Sequence, residues 1–509
     1  MNANVLLIVI DQFRSDLIQG ALADHVELPN LRALQREAVS FNNHYTVTSP
    51  CGPSRASLLT GLYAMNHRSV HNGSPLDASI PNLANQMRTA GYEPLLFGYT
   101  DTSTDPRGRH PNDPDLKSYE GLLPGFAEIV RMRLETSVPW LADLNAKGYA
   151  LPENYWELYR SVGADGGPGE ITDPTLYRAE DSDTAFLTNA TIKELAVRKS
   201  DAWFATLTYI RPHPPFAAPA PYNRMYDPAA VPAPVRPLGD NEMKQAHPVF
   251  AAEFSGPSNG GLFIGHDGFA DRLSEEQIRE LRAVYLGLAT EVDHSIGRLF
   301  DMLKETGQYD DTLIIVTADH GESLGDHHVW AKHMPFEQSF RIPLIVKLPG
   351  SQDRAGAQVD TFTESVDVTP SIVDWAGGEQ APGFDGKSLL PLVRGEAADG
   401  WRDHVFAEAS LGDPLTQSRF QTALNLSADE ANYAILWKGD HKLVHFNGGL
   451  PPLLFNLAED PDEANNLAKQ PDYADLLRRL MAAMLDHRMT HANHTLSRMM
   501  ITKTGIQSS

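Results

Sequence analysis

The stretch TSPCGPSRASLLTG contains the only cysteine of the chain, Cys51, between two prolines and shortly before Arg55. Pro50 and Pro53 favour a turn, and the pattern SRASLLTGL predicts a helix that begins beside the cysteine. The N-terminus of a helix presents free N–H groups, which favour an anion. These residues alone allow two interpretations: a small buried hydrophobe, which is the commoner role of a lone cysteine, or a reactive thiolate with Arg55 at an anion site.

Further polar residues of the types that bind metals or substrates follow four apolar runs of the sequence. Asp11 and Gln12 follow VLLIVI, Tyr99 and Asp101 follow YEPLLFG, His213 follows AWFATLTYI, and Asp319 and His320 follow TLIIVTA. One polar residue after a strand commonly belongs to a turn, but four strand ends at one sheet edge favour a site. Carboxylate and imidazole ligands such as these suit Mn²⁺, Ca²⁺ or Mg²⁺ better than a thiolate site would.

The elements that must position these residues alternate along the chain. The four runs and IPLIVKL are continuous apolar segments, typical of strands that are buried on both faces. Helical patterns lie between them in LPNLRALQREAVSF, IPNLANQMRTAGY and YLGLATEVDHSIGRLFDMLKETG. This alternation predicts an α/β fold with a mostly parallel central sheet flanked by helices. The Pro- and Gly-rich segments 108–174 and 212–274 are interpreted as long excursions that carry substrate loops.

The pattern changes near residue 400, which divides the chain into three predicted parts. Residues 1–400 form the α/β catalytic domain. Residues 401–490 form a smaller α+β domain, because NYAILWKG, HKLVHF and PPLLFNL are typical of short antiparallel strands and YADLLRRLMAAMLDHRM of a helix. Residues 491–509 form a tail that we expect to pack on another subunit of a homo-oligomer, most simply a tetramer.

Composition limits the classes of partner. The 509 residues are 42% hydrophobic and 21% charged, which is typical of a globular chain. A net charge of -24 argues against nucleic acid as a partner but is compatible with a small anionic substrate. One cysteine cannot form an internal disulfide, and the apolar run VLLIVI is too short to span a bilayer and lacks a basic flank. We therefore expect a cytoplasmic protein without a membrane partner.

The sequence Cys51-Gly52-Pro53-Ser54-Arg55, continued by ASLLTG, resembles the C-x-P-x-R signature of the sulfatase family in the alkaline phosphatase superfamily. Other stretches agree with this resemblance: VIDQ, TADHGESLGDHH, DGKSLLP and KLVHF…LFNLAEDPDEANNLA. Within the superfamily, DQFRSD, GLYAMNHRSVHN, YIRPHPPF and AKHMPFEQSFRIPL are most similar to phosphonate monoester hydrolases. The pairs Asp11-Gln12 and Asp319-His320 also resemble those hydrolases, whereas many arylsulfatases carry paired acids and Asp-Asn.

The resemblance implies a role for each candidate residue. In this family the cysteine is oxidised to formylglycine, so maturation requires a formylglycine-generating enzyme as a partner. The implied ligands of one divalent ion, Mn²⁺ first with Ca²⁺, Mg²⁺ or Zn²⁺ as alternatives, are Asp11, Asp319, His320 and the modified Cys51, with Gln12 at or near the ion. Arg55 would hold the formylglycine hydroxyl. The residues that would contact the charged oxygens or the leaving group of the substrate are Asn72, Tyr99, His213 and Lys332.

The implied activity is hydrolysis of a small anionic ester. In the family, a hydroxyl of the hydrated aldehyde attacks phosphorus or sulfur, and Lys332 or His213 would protonate the leaving oxygen. The first hypothesis is a hydrolase of phosphonate monoesters and phosphodiesters that also accepts sulfate esters. An arylsulfatase is the alternative, and an inactive binding or structural relative with a free thiol at Cys51 is the remote one. Asp101 stands where these hydrolases carry threonine, so it bears on the fine substrate preference. His327, His328 and His333 are either site residues or polar loop residues.

Overall fold

The computed structural model describes residues 3–134, 136–198, 202–257, 261–378, 383–397, 399–493 and 499–508. The strands within these ranges are β1 (Asn4–Ile10), β2 (Val39–Phe41), β3 (His44–Tyr45), β4 (Pro94–Gly98), β5 (Ala127–Arg131), β6 (Phe204–Tyr209), β7 (Thr312–Ala318), β8 (Leu344–Lys347), β9 (Gln358–Val359), β10 (Thr363–Glu364), β11 (His404–Ser410), β12 (Asn432–Lys438), β13 (His441–Phe446), β14 (Leu453–Asn456), β15 (Met499–Thr502) and β16 (Gly505–Ser508).

The α-helices of the same ranges are α1 (Pro29–Glu37), α2 (Cys51–Thr60), α3 (Ala64–His67), α4 (Leu83–Thr89), α5 (Val138–Ala146), α6 (Asp183–Leu195), α7 (Asp240–Ala246), α8 (Pro248–Glu253), α9 (Glu275–Glu305), α10 (Glu337–Phe340), α11 (Val368–Trp375), α12 (Leu390–Arg394), α13 (Arg419–Leu424) and α14 (Ala474–Thr490). Short 3₁₀ turns connect many of them. Within these ranges no helix combines the length and the apolar character that crossing a membrane requires.

The central sheet has eight strands in the order β5-β4-β6-β1-β7-β8-β2-β9. Strand β1 lies in the middle and pairs in parallel with β6 and β7, whereas β8 runs antiparallel to both of its neighbours. The predicted mostly parallel α/β fold is therefore confirmed, with β8, the run IPLIVKL, as the exception in direction.

Both faces of the central sheet are covered, because alternate side chains of β1 enter different clusters of the core. Leu6, Ile8 and Ile10 pack with residues of the long helix α9, whereas Val5, Leu7 and Val9 pack with residues of α2 and α11. Side chains of successive strand residues point to opposite faces of a sheet, which accounts for this division. Burial on both faces explains why the run VLLIVI contains no polar residue.

Several predicted elements differ from the structure in their limits. The helix predicted for LPNLRALQREAVSF ends at Glu37, and the β-branched and aromatic Val39–Phe41 is the buried strand β2. The excursion 108–174 contains the edge strand β5 and helix α5, and the excursion 212–274 contains α7 and α8. Period-2 and period-3.6 patterns are weak in such short elements, which explains why they were not predicted.

The C-terminal part contains a separate antiparallel sheet with the order β11-β12-β13-β14. Three of its strands and helix α14 coincide with the predicted elements, whereas β11 was not predicted. Within the tail, β15 and β16 form a hairpin in which Met499, Met500, Ile501 and Ile506 are exposed. The boundaries at residues 400 and 490 stay predictions.

Candidate active site

The four predicted metal ligands lie together at the carboxyl-end edge of the central sheet. Asp11 directly follows β1, Asp319 and His320 directly follow the neighbouring strand β7, and Cys51 is the first residue of α2. One ligand atom from each of the four residues lies within 4.8 Å of every other, and all four residues are buried. Within the described ranges, no other group of His, Cys, Asp or Glu side chains meets this criterion.

The donor atoms of this cluster are arranged as a cation would require. The oxygen Oδ1 of Asp11 is buried without a hydrogen-bond partner. The ring nitrogen Nδ1 of His320 lies 2.9 Å from the carbonyl oxygen of Gly321 and donates to it, so the Nε2 lone pair is free to bind a metal. This Nε2 lies 3.1 Å from Sγ of Cys51. The set of carboxylate, imidazole and residue-51 donors therefore fits one divalent ion.

The electrostatics of the two carboxylates also favour a cation. Burial and the charge of Asp319 raise the pKa of Asp11. Burial alone would raise the pKa of Asp319, but His320 and Arg55 lower it to about 2. Two acids this close disfavour joint ionisation unless positive charge lies between them.

Arg55 connects the two carboxylate ligands from the side of α2. Its Nε donates to Oδ2 of Asp319 at 2.8 Å, and one Nη donates to Oδ2 of Asp11 at 3.2 Å. The same Nη lies 3.1 Å from the hydroxyl of Tyr99, and the guanidinium stacks on the Tyr99 ring at 4.2 Å. Tyr99 in turn donates a short hydrogen bond to Asp11. Arg55 and Tyr99 therefore hold the ligands in place.

The start of helix α2 is fixed by contacts on both sides of Cys51. The hydroxyl of Ser54 donates to the backbone carbonyl of Asp319 at 2.5 Å, and the backbone N–H of Gly52 donates to Oδ1 of the exposed Asn72 at 2.9 Å. Burial and the charge of Asp11 raise the pKa of the Cys51 thiol well above its usual range.

Gln12, Lys332 and His213 form a second group beside the metal ligands. The ammonium of Lys332 donates to Oε1 of Gln12 at 2.6 Å and lies 3.2 Å from Nε2 of His213. Nδ1 of His213 lies 2.6 Å from the carbonyl oxygen of Pro214 and donates to it. Burial and Lys332 lower the pKa of His213 well below its usual range, so the ring is neutral and its Nε2 accepts from Lys332. The sequence prediction did not anticipate this pairing.

The backbone of Asp101 lies against Gly52 at the start of α2. Its backbone adopts a left-handed conformation with a φ of 52°, and its buried oxygen Oδ1 lacks a hydrogen-bond partner. Burial raises the pKa of Asp101 well above its usual range, although Arg55 opposes this shift. A Cβ atom at Gly52 would lie 3.0 Å from the carbonyl oxygen of Asp101, so the backbones of the two residues are in close contact.

The three histidines whose role was open have packing or loop positions. His327 stacks on Phe336 with a ring separation of 3.8 Å, and His328 contacts the carbonyl oxygen of Leu238 at 2.9 Å. The carbonyl of His333 accepts from the hydroxyl of Tyr433 at 2.7 Å, and burial lowers the pKa of its imidazole to about 3. The contacts of His327 and His328 are packing and loop contacts, whereas the charges of Lys332 and His320 also act on the imidazole of His333.

Sequence analysis missed Glu322, which contacts Gln12 and the backbone next to Lys332. Its Oε1 accepts from the backbone N–H groups of Leu324 and Ala331 at 2.8 and 2.7 Å, and its Oε2 accepts a short hydrogen bond from the amide of Gln12. Burial raises the pKa of Glu322, and these donors oppose the shift. The position of Glu322, shortly after the end of β7, was the only available signal.

Comparison with known proteins agrees with this geometry. Residues 3–378 match the Sulfatase family, and residues 325–490 match the family described as N-sulphoglucosamine sulphohydrolase, C-terminal. The chain is 41% identical over 502 residues to the multifunctional alkaline phosphatase superfamily protein PehA of Trinickia caryophylli, covering 97% of this chain and 96% of that protein.

Two solved structures are similar over their whole length. The phosphonate monoester hydrolase of Silicibacter pomeroyi has a TM-score of 0.95 and 50% identity, with 100% of this chain and 99% of that chain covered. The phosphonate monoester hydrolase of Agrobacterium radiobacter has a TM-score of 0.93 and 39% identity, with the same coverage.

Proposed function

The chain belongs to the sulfatase family of hydrolases, and from this membership and the buried ligand cluster we propose that it hydrolyses phosphonate monoesters and phosphodiesters. The observation that carries the proposal is the convergence of donor atoms from Asp11, Cys51, Asp319 and His320 within 4.8 Å of one another. The solved structures with 50% and 39% identity are phosphonate monoester hydrolases, which supports this substrate class. Acceptance of sulfate esters is part of the proposal.

We further propose that Cys51 is converted to formylglycine by a formylglycine-generating enzyme and that the cluster binds one Mn²⁺ ion, with Ca²⁺, Mg²⁺ and Zn²⁺ as alternatives. The bound ion would polarise a substrate oxygen, and the hydrated aldehyde at position 51 would supply an oxygen nucleophile. The Sγ atom of Cys51 stands in for that oxygen. The orphaned Oδ1 of Asp11 and the free Nε2 of His320 support the metal, whichever of these ions is native.

The residues of the chain then have distinct tasks. Arg55 and Tyr99 orient the two carboxylate ligands, and Gln12 orients the ammonium of Lys332. Lys332 and His213, 3.2 Å apart, form the proton-donating pair for the leaving oxygen, because the ammonium carries the proton and the Nε2 lone pair of His213 orients the ammonium. The amide of Asn72, next to the helix start, is available for an equatorial oxygen of the substrate.

Charge supports a preference for singly charged esters over phosphate monoesters. A dianion brings one more negative charge close to Asp11 and Asp319, and Asp101 adds another whenever it is ionised. At about 4 Å and an effective dielectric constant of about 20, each such contact costs on the order of 4 kcal/mol before screening. Even about a third of this cost would raise kcat/KM for the monoanion about tenfold over that for the dianion. Sulfate monoesters are also monoanions, so charge alone leaves them as substrates.

A comparison of specificity constants tests the proposal. The Mn²⁺-loaded enzyme is assayed on 4-nitrophenyl esters of phenylphosphonate, phosphate, sulfate and a phosphodiester. We expect kcat/KM for the phosphonate monoester and the phosphodiester to exceed that for the phosphate monoester. If kcat/KM is highest for the phosphate monoester, the charge argument is refuted. If kcat/KM for the sulfate ester exceeds the others by a wide margin, the protein is an arylsulfatase instead. Absence of turnover together with a free thiol at residue 51 identifies a binding or structural relative.

We also propose a homo-oligomer, most simply a tetramer, and a cytoplasmic location. The oligomer is supported by exposed apolar side chains of the β15–β16 hairpin, among them Ile501 and Ile506, because a second subunit would bury them. The location rests on sequence composition alone.

A further inference from the structure

Arg211 is a buried arginine that contacts the backbone of the loop carrying His213. It follows β6 closely, and only 1% of its surface is exposed. One of its Nη atoms donates to the carbonyl oxygen of His213 at 3.1 Å and to that of Pro215 at 2.9 Å. Both acceptors belong to the turn that presents the imidazole to the site.

The guanidinium of Arg211 is itself held from two sides. Its Nε lies 3.4 Å from Oδ2 of Asp183, the first residue of α6, and its plane covers the ring of Tyr159 at 4.5 Å. Oδ1 of Asp183 accepts from the backbone N–H of Thr184 at 2.9 Å, which fixes the carboxylate. Burial of a charge is costly unless it is paired, so this arrangement is maintained at an energetic cost.

The contacts of Arg211 bear directly on the imidazole orientation. His213 donates from Nδ1 to the carbonyl oxygen of Pro214, which lies between the two carbonyls that Arg211 holds. A rotation of either peptide group would move the Pro214 carbonyl and turn the ring. Nε2 of His213 would then leave its position 3.2 Å from the ammonium of Lys332.

We propose that Arg211 is a positioning residue that fixes His213 through the backbone, so that its Nε2 faces Lys332 and the leaving group. The inference rests on the proposed function, in which these two side chains protonate the leaving oxygen. Arg211 acts through His213 and does not itself touch the substrate. A lysine at this position would be a poor replacement, because it lacks the planar guanidinium that bonds both carbonyls while it covers the Tyr159 ring.

The test is the dependence of kcat/KM on the leaving group. Wild type, Arg211→Lys, His213→Ala and the double variant are assayed on one ester series whose aryl leaving groups differ in pKa. We expect Arg211→Lys to lower kcat/KM at least tenfold for the poorest leaving group and less than threefold for the best. In the double variant we expect no further loss beyond that of His213→Ala, since both changes remove the same proton transfer.

Arg402→Lys provides the matched control. The side chain of Arg402 is only 8% exposed, and it pairs with Glu364 at 3.2 Å and donates to Asp367 at 2.7 Å. We expect this variant to lower Tm without a steeper leaving-group dependence. Should Arg211→Lys fail to fold, Asp183→Asn weakens the same ion pair more gently and should steepen the dependence in the same direction.

The possible outcomes separate the two proposals. Absence of ester turnover in the wild type refutes the proposed function, and the inference falls with it. If the wild type is active, an equal loss for all leaving groups, an unchanged dependence, or losses that multiply with those of His213→Ala refute the positioning role. A steeper dependence that is not additive with His213→Ala supports it.

Discussion

Replacement of Glu322 by glutamine changes the hydrogen bonding of the site while it preserves the size of the side chain. The carboxylate accepts from the backbone N–H groups of Leu324 and Ala331 and from the amide of Gln12. Because Gln12 donates to Glu322, its Oε1 faces the ammonium of Lys332 at 2.6 Å. Glu322 therefore fixes the Gln12 amide, which orients Lys332, and it also fixes the backbone of Ala331, which directly precedes Lys332.

The expected loss in kcat/KM follows from the two hydrogen-bond donors that Glu322→Gln leaves facing each other. The new side chain still accepts from both backbone N–H groups through its oxygen, but its NH₂ group faces the NH₂ group of Gln12. If the Gln12 amide flips to relieve this contact, its NH₂ group faces Lys332 instead. Either way one charge-assisted hydrogen bond is lost, at about 1.5–3 kcal/mol. Expressed fully in the transition state, that loss lowers kcat/KM about ten- to 150-fold.

The assay compares kcat/KM and Tm of wild type and Glu322→Gln, both loaded with metal, with Asp293→Asn as the control. Asp293 is a buried carboxylate on α9 that accepts from the backbone N–H of Leu31 at 2.7 Å and from the amide of Asn30 at 2.9 Å. The Asp293→Asn substitution therefore places one NH₂ group against that of Asn30, which is the same kind of clash outside the site. Both variants should lower Tm, and only Glu322→Gln should lower kcat/KM. A folded, metal-loaded Glu322→Gln enzyme within threefold of wild type would falsify the reasoning.

Four further predictions follow from other parts of the molecule. Cys51→Ala should abolish turnover with an unchanged circular dichroism spectrum, and peptide mass analysis of active wild type should find the aldehyde at residue 51; full activity with an intact thiol would contradict this. Chelation should lower Tm, because Asp11 and Asp319 then lose the divalent charge and keep only the partial compensation that Arg55 provides, and Mn²⁺ should restore it; an unchanged Tm counts against the site. Burial, followed by the charge of Asp183, raises the pKa of Glu291 from 4.5 to about 8. The folded state thus retains this proton longer than the unfolded state, so stability falls by on the order of a few kcal/mol as pH rises from 4.5 through 8, and Glu291→Gln should flatten that decline in a pH series of urea melts. Deletion of the residues after His491 should reduce the mass measured by light scattering, whereas an unchanged assembly would exclude the tail as the subunit contact.

The fold was largely predictable because its strands carry a strong local signal. Runs such as VLLIVI are buried on both faces, and that burial explains their continuous apolar character. The direction of β8 was not predictable, since IPLIVKL is equally apolar whether its partner β7 runs parallel or antiparallel to it. The edge strand β5 is only partly buried and carries a correspondingly weak pattern.

The meeting of the metal-ligand residues was predictable for a topological reason. Asp11 and Asp319 follow neighbouring parallel strands, so their side chains emerge at the same edge of the sheet. Cys51 and Arg55 were found through their sequence signature rather than through periodicity. The roles of these residues in the reaction stay predictions that the proposed assays address.

Glu322 and Arg211 could not be found from the sequence, because their partners are largely backbone groups. Backbone N–H and carbonyl groups are present at nearly every residue, so no residue type in the sequence marks the position that a buried side chain will contact. Glu322 accepts from the N–H groups of Leu324 and Ala331, and Arg211 donates to the carbonyl oxygens of two loop residues. Such contacts become visible only when the loops that follow different strands are placed together.

The Lys332–His213 pair shows why the sheet edge is needed to assemble this chemistry. Lys332 reaches the site through a loop fixed by Glu322 after β7, and its ammonium is oriented by Gln12 after β1. His213 comes from the loop after β6, fixed by Arg211. Strand β1 lies between β6 and β7 in the sheet, so the three loops are neighbours although their residues are more than a hundred positions apart. Each loop is held by a buried charged or amide group, and the geometry of the pair therefore depends on side chains that do not themselves meet the substrate.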